Sequence, residues 1–187
     1  MQIERLNIPD VLLVTPKKHV DQRGFFSEIF RADIFAGAGV HAFLVQDNHV
    51  RSMQKGVLRG LHFQAPPHAQ GKLIRCTRGA ILDVAVDIRV GSPSYGRHVA
   101  VELSAANWLQ LWVPPGFAHG YITLVDDCEV IYRVTDYYAP ECDMGIAWDD
   151  PALGIDWRLS ASEVILSDRD RRHPRLADAA PTFRFGC

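Results

Sequence analysis

The sequence predicts an all-β protein, a double-sheet jelly-roll barrel with a few short helices. Three observations carry this. Short apolar runs of strand length are punctuated by turn residues along the chain. Several runs alternate with the period of two that a strand with one buried face needs. Helix-like spacing is confined to one brief stretch. No linker, repeat or low-complexity segment interrupts the pattern, so residues 1–187 are read as a single domain large enough for a real core.

The elements follow in order. The start, MQIERLNIPDVLLV, carries Glu4 and Arg5 and lacks a long apolar core, so it does not read as a signal peptide. VLLVTPKKHV is a strand ending at Pro16, which has no N–H to pair. GFFSEIF is a second strand, and RADIFAGAG has the spacing and glycine stop of a short helix. In HAFLVQDNHVRS, Leu44, Gln46 and Asn48 fall on one face and Val45, Asp47 and His49 on the other. GVLRGLHFQ and GKLIRCTR are strands, and Arg78-Gly79 turns the chain into AILDVAVDIRV. GSPSYG is a loop, HVAVELS a strand, AAN a turn and WLQLWVP another strand. GYITLV leads through Asp126-Asp127 to CEVIYRVTDYY. Beyond Ala139 the pattern turns irregular, and SASEVILSDRDRRHPRLADAAP reads as a strand remnant with a polar tail.

Composition narrows the function. The formal net charge is −2, which gives no reason to expect nucleic acid or an anionic membrane as partner. No apolar run approaches the roughly 18 residues of a membrane span. Cys76, Cys128, Cys142 and Cys187 form no C-x-x-C pair and are expected to be free thiols in a reducing cytosol.

His62 is the first candidate for chemistry. It sits among apolar and glycine residues between Arg59 and Lys72, whereas His19, His41, His49, His68, His98 and His173 lie in turns, in loops or beside charges and read as surface or core-satisfied histidines. His119 is the second, in VPPGFAHGY. That P-x-G-x-x-H pattern is the second half of the cupin signature. The first half should offer a His-x-His pair, but Gln64 stands two positions after His62. A catalytic metal usually needs three protein ligands, and a Lys72 ammonium would repel a cation. The expectation is therefore a cupin-type barrel without metal or cofactor, whose site moves protons. Lys72 is either a solvated surface lysine or a donor to a developing oxyanion. Tyr132 shares a face with Val130 and Val134, as core or as general acid. Asp168 and Asp170 are either solvated or a carboxylate docked on a histidine to fix its tautomer. Arg23, in a turn with Glu28 nearby, could join Arg59 in gripping a diphosphate. Gln46 and Asn48 suit hydroxyl or base recognition. Strict alternation puts Arg59 and His62 on opposite strand faces; both face the lumen only if Gly60 marks a bulge.

The segments DQRGFFSE, VQDNHVRS, GVLRGLHFQ, QGKLIRCTRGAILDVAVDIR, WVPPGFAHGY, YRVTDYYAPECDMGIAWDDPALGIDW and LSDRD, from about residue 2 to 175, closely resemble the dTDP-4-dehydrorhamnose 3,5-epimerases of dTDP-rhamnose biosynthesis. The resemblance implies a cytoplasmic, metal-independent cupin homodimer that serves cell-surface polysaccharide synthesis and uses no cofactor. Such enzymes act on dTDP-4-dehydro-6-deoxy-D-glucose, inverting C3 and C5, both α to the C4 ketone. By resemblance His62 is the base, Asp170 its partner, Lys72 the enolate stabiliser and Tyr132 the acid on the opposite face. Arg23 and Arg59 hold the diphosphate and sugar region. Phe26, Glu28, Gln46, Asp47, Asn48 and His119 complete the substrate-binding set, and Tyr138 stacks on thymine. Asp143 and Arg169 belong to the same set but depart from the family, which usually has Glu and Lys there. Three alternatives stand beside this: an epimerase inverting only C3 or only C5 of a related sugar nucleotide, a metal-dependent cupin enzyme, and a sugar-nucleotide-binding barrel without catalysis.

Overall fold

The structure is a computed structural model that describes residues 1–186. Strands β1 (Gln2–Arg5), β2 (Leu12–Thr15), β3 (Lys18–Asp21) and β4 (Gly24–Ser27) precede the helix α1 (Ala32–Gly37). Then come β5 (Gln46–Ser52), β6 (Leu58–Gln64), β7 (Lys72–Arg78), β8 (Ala80–Asp87) and β9 (Arg89–Val90). They are followed by β10 (His98–Ser104), β11 (Gln110–Val113), β12 (Phe117–Thr123) and β13 (Cys128–Val134). The last strands, β14 (Asp143–Gly145) and β15 (Phe183–Arg184), are short, and single 3-10 turns punctuate the chain after Ala139.

Two antiparallel sheets form the barrel. One has the order β1-β2-β11-β7-β13-β5, the other β10-β8-β12-β6-β14. Alternation gives each strand one face toward the lumen. Ile74, Cys76 and Val130 from the first sheet meet Ile81, Ala85 and Tyr121 from the second in one apolar cluster. The outer faces are covered as well. Leu58, Leu61, Leu82 and Val84 pack outward against Ile146, Leu153, Trp157 and Val164 of the C-terminal segment. Leu12, Leu73 and Trp112 pack outward against Phe35 of α1. Burial on both faces explains why β8 is an almost unbroken apolar run rather than an alternating one.

The jelly roll and the short helix match expectation, with corrections at the margins. β1 was not legible as a strand, and GFFSEIF is strand only over Gly24–Ser27. The polar-looking tail is docked: Leu176, Ala179 and Phe183 pack on the outer cluster. Cys76, Cys128 and Cys142 are free and buried; Cys187 lies outside the described residues. No helix among the described residues is long and apolar enough to cross a membrane.

The bulge at Gly60 is present. His62 pairs with His119 and Arg59 with Tyr121, so Gly60 and Leu61 together oppose the lone Gly120. Gly60 has φ +143°, and a Cβ there would meet the Gly120 Cα at 2.5 Å. The extra residue turns Leu61 outward into the apolar cluster and returns His62 to the face that carries Arg59.

Candidate active site

A cleft of about 290 Å³ opens between the two sheets. β6 supplies Arg59 and His62, β12 His119 and Tyr121, β7 Lys72 and β13 Tyr132. The C-terminal segment rounds the β14 edge and closes the wall with Ser167, Arg169 and Asp170. His62 Nε2–H donates to Asp170 Oδ1 at 2.6 Å, a contact across 108 positions of sequence. With Nε2 protonated, the lone pair of the neutral ring is on Nδ1. Lys72 Nζ donates to the His62 carbonyl oxygen at 3.2 Å. His119 Nε2 meets the fully buried Asp83 Oδ1 at 2.9 Å.

Burial sets the protonation states. It lowers the His62 pKa below the usual 6.5, against the opposing pull of Asp170, so the ring is neutral at pH 7. Burial also lowers Lys72 from 10.5 to about 8, with Asp143 and Asp83 opposing it, so the ammonium is still mostly charged at neutrality. Tyr132 is pushed above 10 by burial and keeps its phenolic proton. Burial works against an Asp170 carboxylate, but the approach of His173, the hydrogen bond from His62 and the bond from Ser167 outweigh it and hold its pKa below the usual carboxylate range. The site thus holds a neutral imidazole and a protonated phenol, and the two come from opposite sheets.

His62, Asp170 and His173 are the group among the described residues that brings three metal-capable donors within 4.8 Å of one another. Two ligands each about 2.0–2.1 Å from one zinc ion sit well over 3 Å apart. The 2.6 Å between His62 and Asp170 is the length of a hydrogen bond carrying a proton. Gln64, in the place of the second cupin histidine, is a clip for the backbone. Its Nε2 donates to the carbonyls of His68 and Tyr137 at 2.7 and 3.1 Å, and its Oε1 accepts from Ala139 N–H at 2.9 Å.

The family model for dTDP-4-dehydrorhamnose 3,5-epimerase matches residues 5–178. The chain belongs to this family. It is 51% identical over 185 residues to the dTDP-4-dehydrorhamnose 3,5-epimerase of Sinorhizobium fredii, covering 99% of this chain and 94% of that one. The solved epimerase of Legionella pneumophila, in complex with dTDP-4-keto-L-rhamnose, superposes with a TM-score of 0.94 at 42% identity, over 100% of this chain and 99% of that one. A 3'-monoepimerase of Streptomyces bikiniensis, solved with dTDP-quinovose, superposes at 0.85 with 37% identity, over 92% and 87% of the two chains.

In this member of the epimerase family, the cleft gathers His62, Lys72, Tyr132, Asp170, Arg59, His119 and Arg169 from the expected residues. A second group lies at its rim. Tyr138 Oη–H donates to Asp143 Oδ2 at 3.0 Å, and Gln46 accepts from the Tyr138 N–H and donates to Asn48 Oδ1. The two departures from the family pattern meet there, with Arg169 Nη1 donating to Asp143 Oδ2 at 2.6 Å. The longer cation faces the shorter carboxylate.

Four expected residues are not brought to this cleft. Asp47 points outward and pairs with Arg133 at 2.8 Å, beside a separate hollow on the outer face of its sheet. Arg23, Phe26 and Glu28 lie on or just after the β3–β4 hairpin. Arg23 pairs with Asp21, Phe26 is 66% exposed, and Glu28 faces Arg31 at 4.0 Å. Sequence reasoning missed Asp83, Tyr121 and Ser167 as cleft or partner residues and set His173 aside as a surface or core-satisfied histidine. Asp83 did carry a signal, an acid inside the apolar run AILDVAVD. His173 carried none beyond lying three positions after Asp170.

Proposed function

We propose that this protein inverts C3 and C5 of dTDP-4-dehydro-6-deoxy-D-glucose, giving dTDP-4-dehydro-L-rhamnose by way of C4 enolates. The observation that carries it is the placing of a neutral imidazole on one sheet and a protonated phenol on the other, with an ammonium in the same cleft. Epimerisation needs that arrangement, because a proton must leave one face of the sugar and return to the other.

The steps use these groups only. His62 Nδ1 takes the proton α to the C4 ketone; the C–H electrons move into the enolate, whose oxygen receives the Lys72 ammonium. Tyr132 then delivers its proton to the opposite face of the same carbon. Solvent exchange returns a proton to the phenolate and removes one from His62 before the second carbon is processed. Asp170 fixes the tautomer of His62 and stabilises its charged form. A cleft of about 290 Å³ lies just below the usual range of about 300–1,000 Å³, which suits the sugar alone. Arg59, Arg169, Asp143 and Tyr138 are then the groups that meet the nucleotide outside.

We assign the protein to the cytoplasm and propose that it works as a homodimer, with the barrel and its docked C-terminal segment as one unit. The dimer is supported by the β3–β4 hairpin, which exposes Val20, Phe25 and Phe26 by 75%, 55% and 66%. The same hairpin region carries three expected substrate-binding residues away from its own cleft, which supports a dimer in which it reaches the cleft of a second copy.

The test is incubation with the 4-keto sugar in D₂O. Deuterium entering at both C3 and C5, with inversion, is the expected result. Entry at one position would make the protein a single-position epimerase, a reading that the likeness to the Streptomyces bikiniensis monoepimerase keeps in play. No entry at either would leave a binding barrel.

A further inference from the structure

His173 is a largely buried histidine with no role in the scheme above. Its side chain is 10% exposed, and its Nε2 has no hydrogen-bond partner among the described residues. That nitrogen lies 3.6 Å from Asp170 Oδ1, the same oxygen that accepts from His62. The two imidazole rings meet edge to face, with centroids 5.4 Å apart and planes at 74°. β14 makes room for the ring at Gly145, where a Cβ would meet the His173 ring atoms at 2.5 Å. Behind it, Ala147 N–H donates to the Pro174 carbonyl at 2.7 Å and fixes the backbone.

We propose that His173 is a positioning residue for the epimerisation, donating its Nε2–H to Asp170 and walling the His62 ring, so that the dyad is a His62–Asp170–His173 triplet. The gap of 3.6 Å is a few tenths of an ångström beyond hydrogen-bond range. A buried N–H with no other acceptor has every reason to close it. A second donor keeps Asp170 ionised and aimed, and the ring edge removes the space into which the His62 imidazole could turn. Both act on where Nδ1 points. A reacting group displaced by about 1 Å costs on the order of 100-fold in rate, far more than a modest change in basicity returns.

This inference rests on the reading of His62 as the base, and the test separates the two. His173→Gln keeps an N–H donor near the Nε2 position; His173→Met has similar length and no donor. The expected result is that His173→Met loses about 10- to 100-fold in kcat, the range seen for groups that orient a metal-bound histidine, with KM unchanged, while His173→Gln stays near wild type. The acidic limb of kcat/KM should move to higher pH in His173→Met, because Asp170 then acts on His62 alone and the lowering influence of His173 is gone. Lys72, His119, Asp143 and Arg169, which also surround His62, are untouched by either substitution. The downfield proton resonance of the His62–Asp170 hydrogen bond should shift in His173→Met and persist in His173→Gln. A His173→Met enzyme with wild-type kcat, pH profile and resonance overturns the proposal, and so does an equal loss in both variants. If His62→Ala still exchanges the α-protons, the base assignment fails, and the resonance still reports whether His173 clamps Asp170.

Discussion

Lys72 shows what one buried side chain costs and returns. Its folded pKa of about 8 lies below the 10.5 of an exposed lysine. A basic group shifted down destabilises the fold fully below its folded pKa, and the penalty fades as pH rises from 8 toward 10.5. The penalty at pH 7 is on the order of 3 kcal/mol. Lys72→Met should therefore unfold at a higher urea concentration than wild type at pH 7 and have no epimerase activity. In the wild type, kcat/KM should rise through a pKa below 6.5, set by the partly buried His62, and fall near pH 8 as the ammonium is lost. A plateau persisting past pH 9.5 would remove Lys72 from the mechanism. Tyr132→Phe should still exchange deuterium into substrate but fail to invert it. Arg169 and Asp143 form a second residue-scale pair. Arg169→Lys and Asp143→Glu should couple in a double-mutant cycle of KM by about 0.5–3 kcal/mol, the double variant binding better than either single one. The separate identities of these residues were legible in the sequence. Their contact was not, because 26 positions and a strand edge separate them.

At the scale of elements, alternation predicted most strands and also predicted its own exception. Arg59 and His62 can share a face only across a bulge, and the structure has one, built from Gly60 against Gly120. The opposing glycine is as constrained as the bulged one. A Cβ on Gly120 would meet the Arg59 carbonyl oxygen at 2.9 Å and the Gly60 Cα at 3.0 Å. Gly120→Ala should destabilise the protein by about 1–3 kcal/mol and cut kcat further than the stability loss accounts for, since it moves the strand that carries His62. Circular-dichroism melts and steady-state rates on the same sample separate the two effects. Segments whose order comes from docking rather than periodicity were hard to read. β1 is four residues with little apolar pattern, and the run from residue 146 gains its order from Ile146, Leu153 and Trp157 meeting the outer face of a sheet. Nothing local in such a stretch announces the surface that it will find.

For the whole molecule, the barrel was legible in the sequence. Lumen residues from both sheets converge on one cleft, yet Arg23, Phe26 and Glu28 stay outside it. In the proposed dimer a working cleft combines the barrel of one subunit with the hairpin of the other. Arg23→Ala and His62→Ala homodimers should each be nearly inactive. Mixed and allowed to exchange subunits, they should regain activity, because each heterodimer holds one cleft with both residues intact. Mixing without recovery would confine each site to one chain.

The contact between His62 and Asp170 spans 108 residues and joins the barrel to its last docked segment. Chains grow at about 5–20 residues per second during synthesis. His62 therefore leaves the ribosome roughly 5–20 s before the Asp170 carboxylate that it meets. A nascent barrel can close around its lumen in that interval, but it carries an unaimed histidine. In the proposed mechanism full activity therefore waits for the segment that carries Asp170, and it reports that translation has passed the barrel.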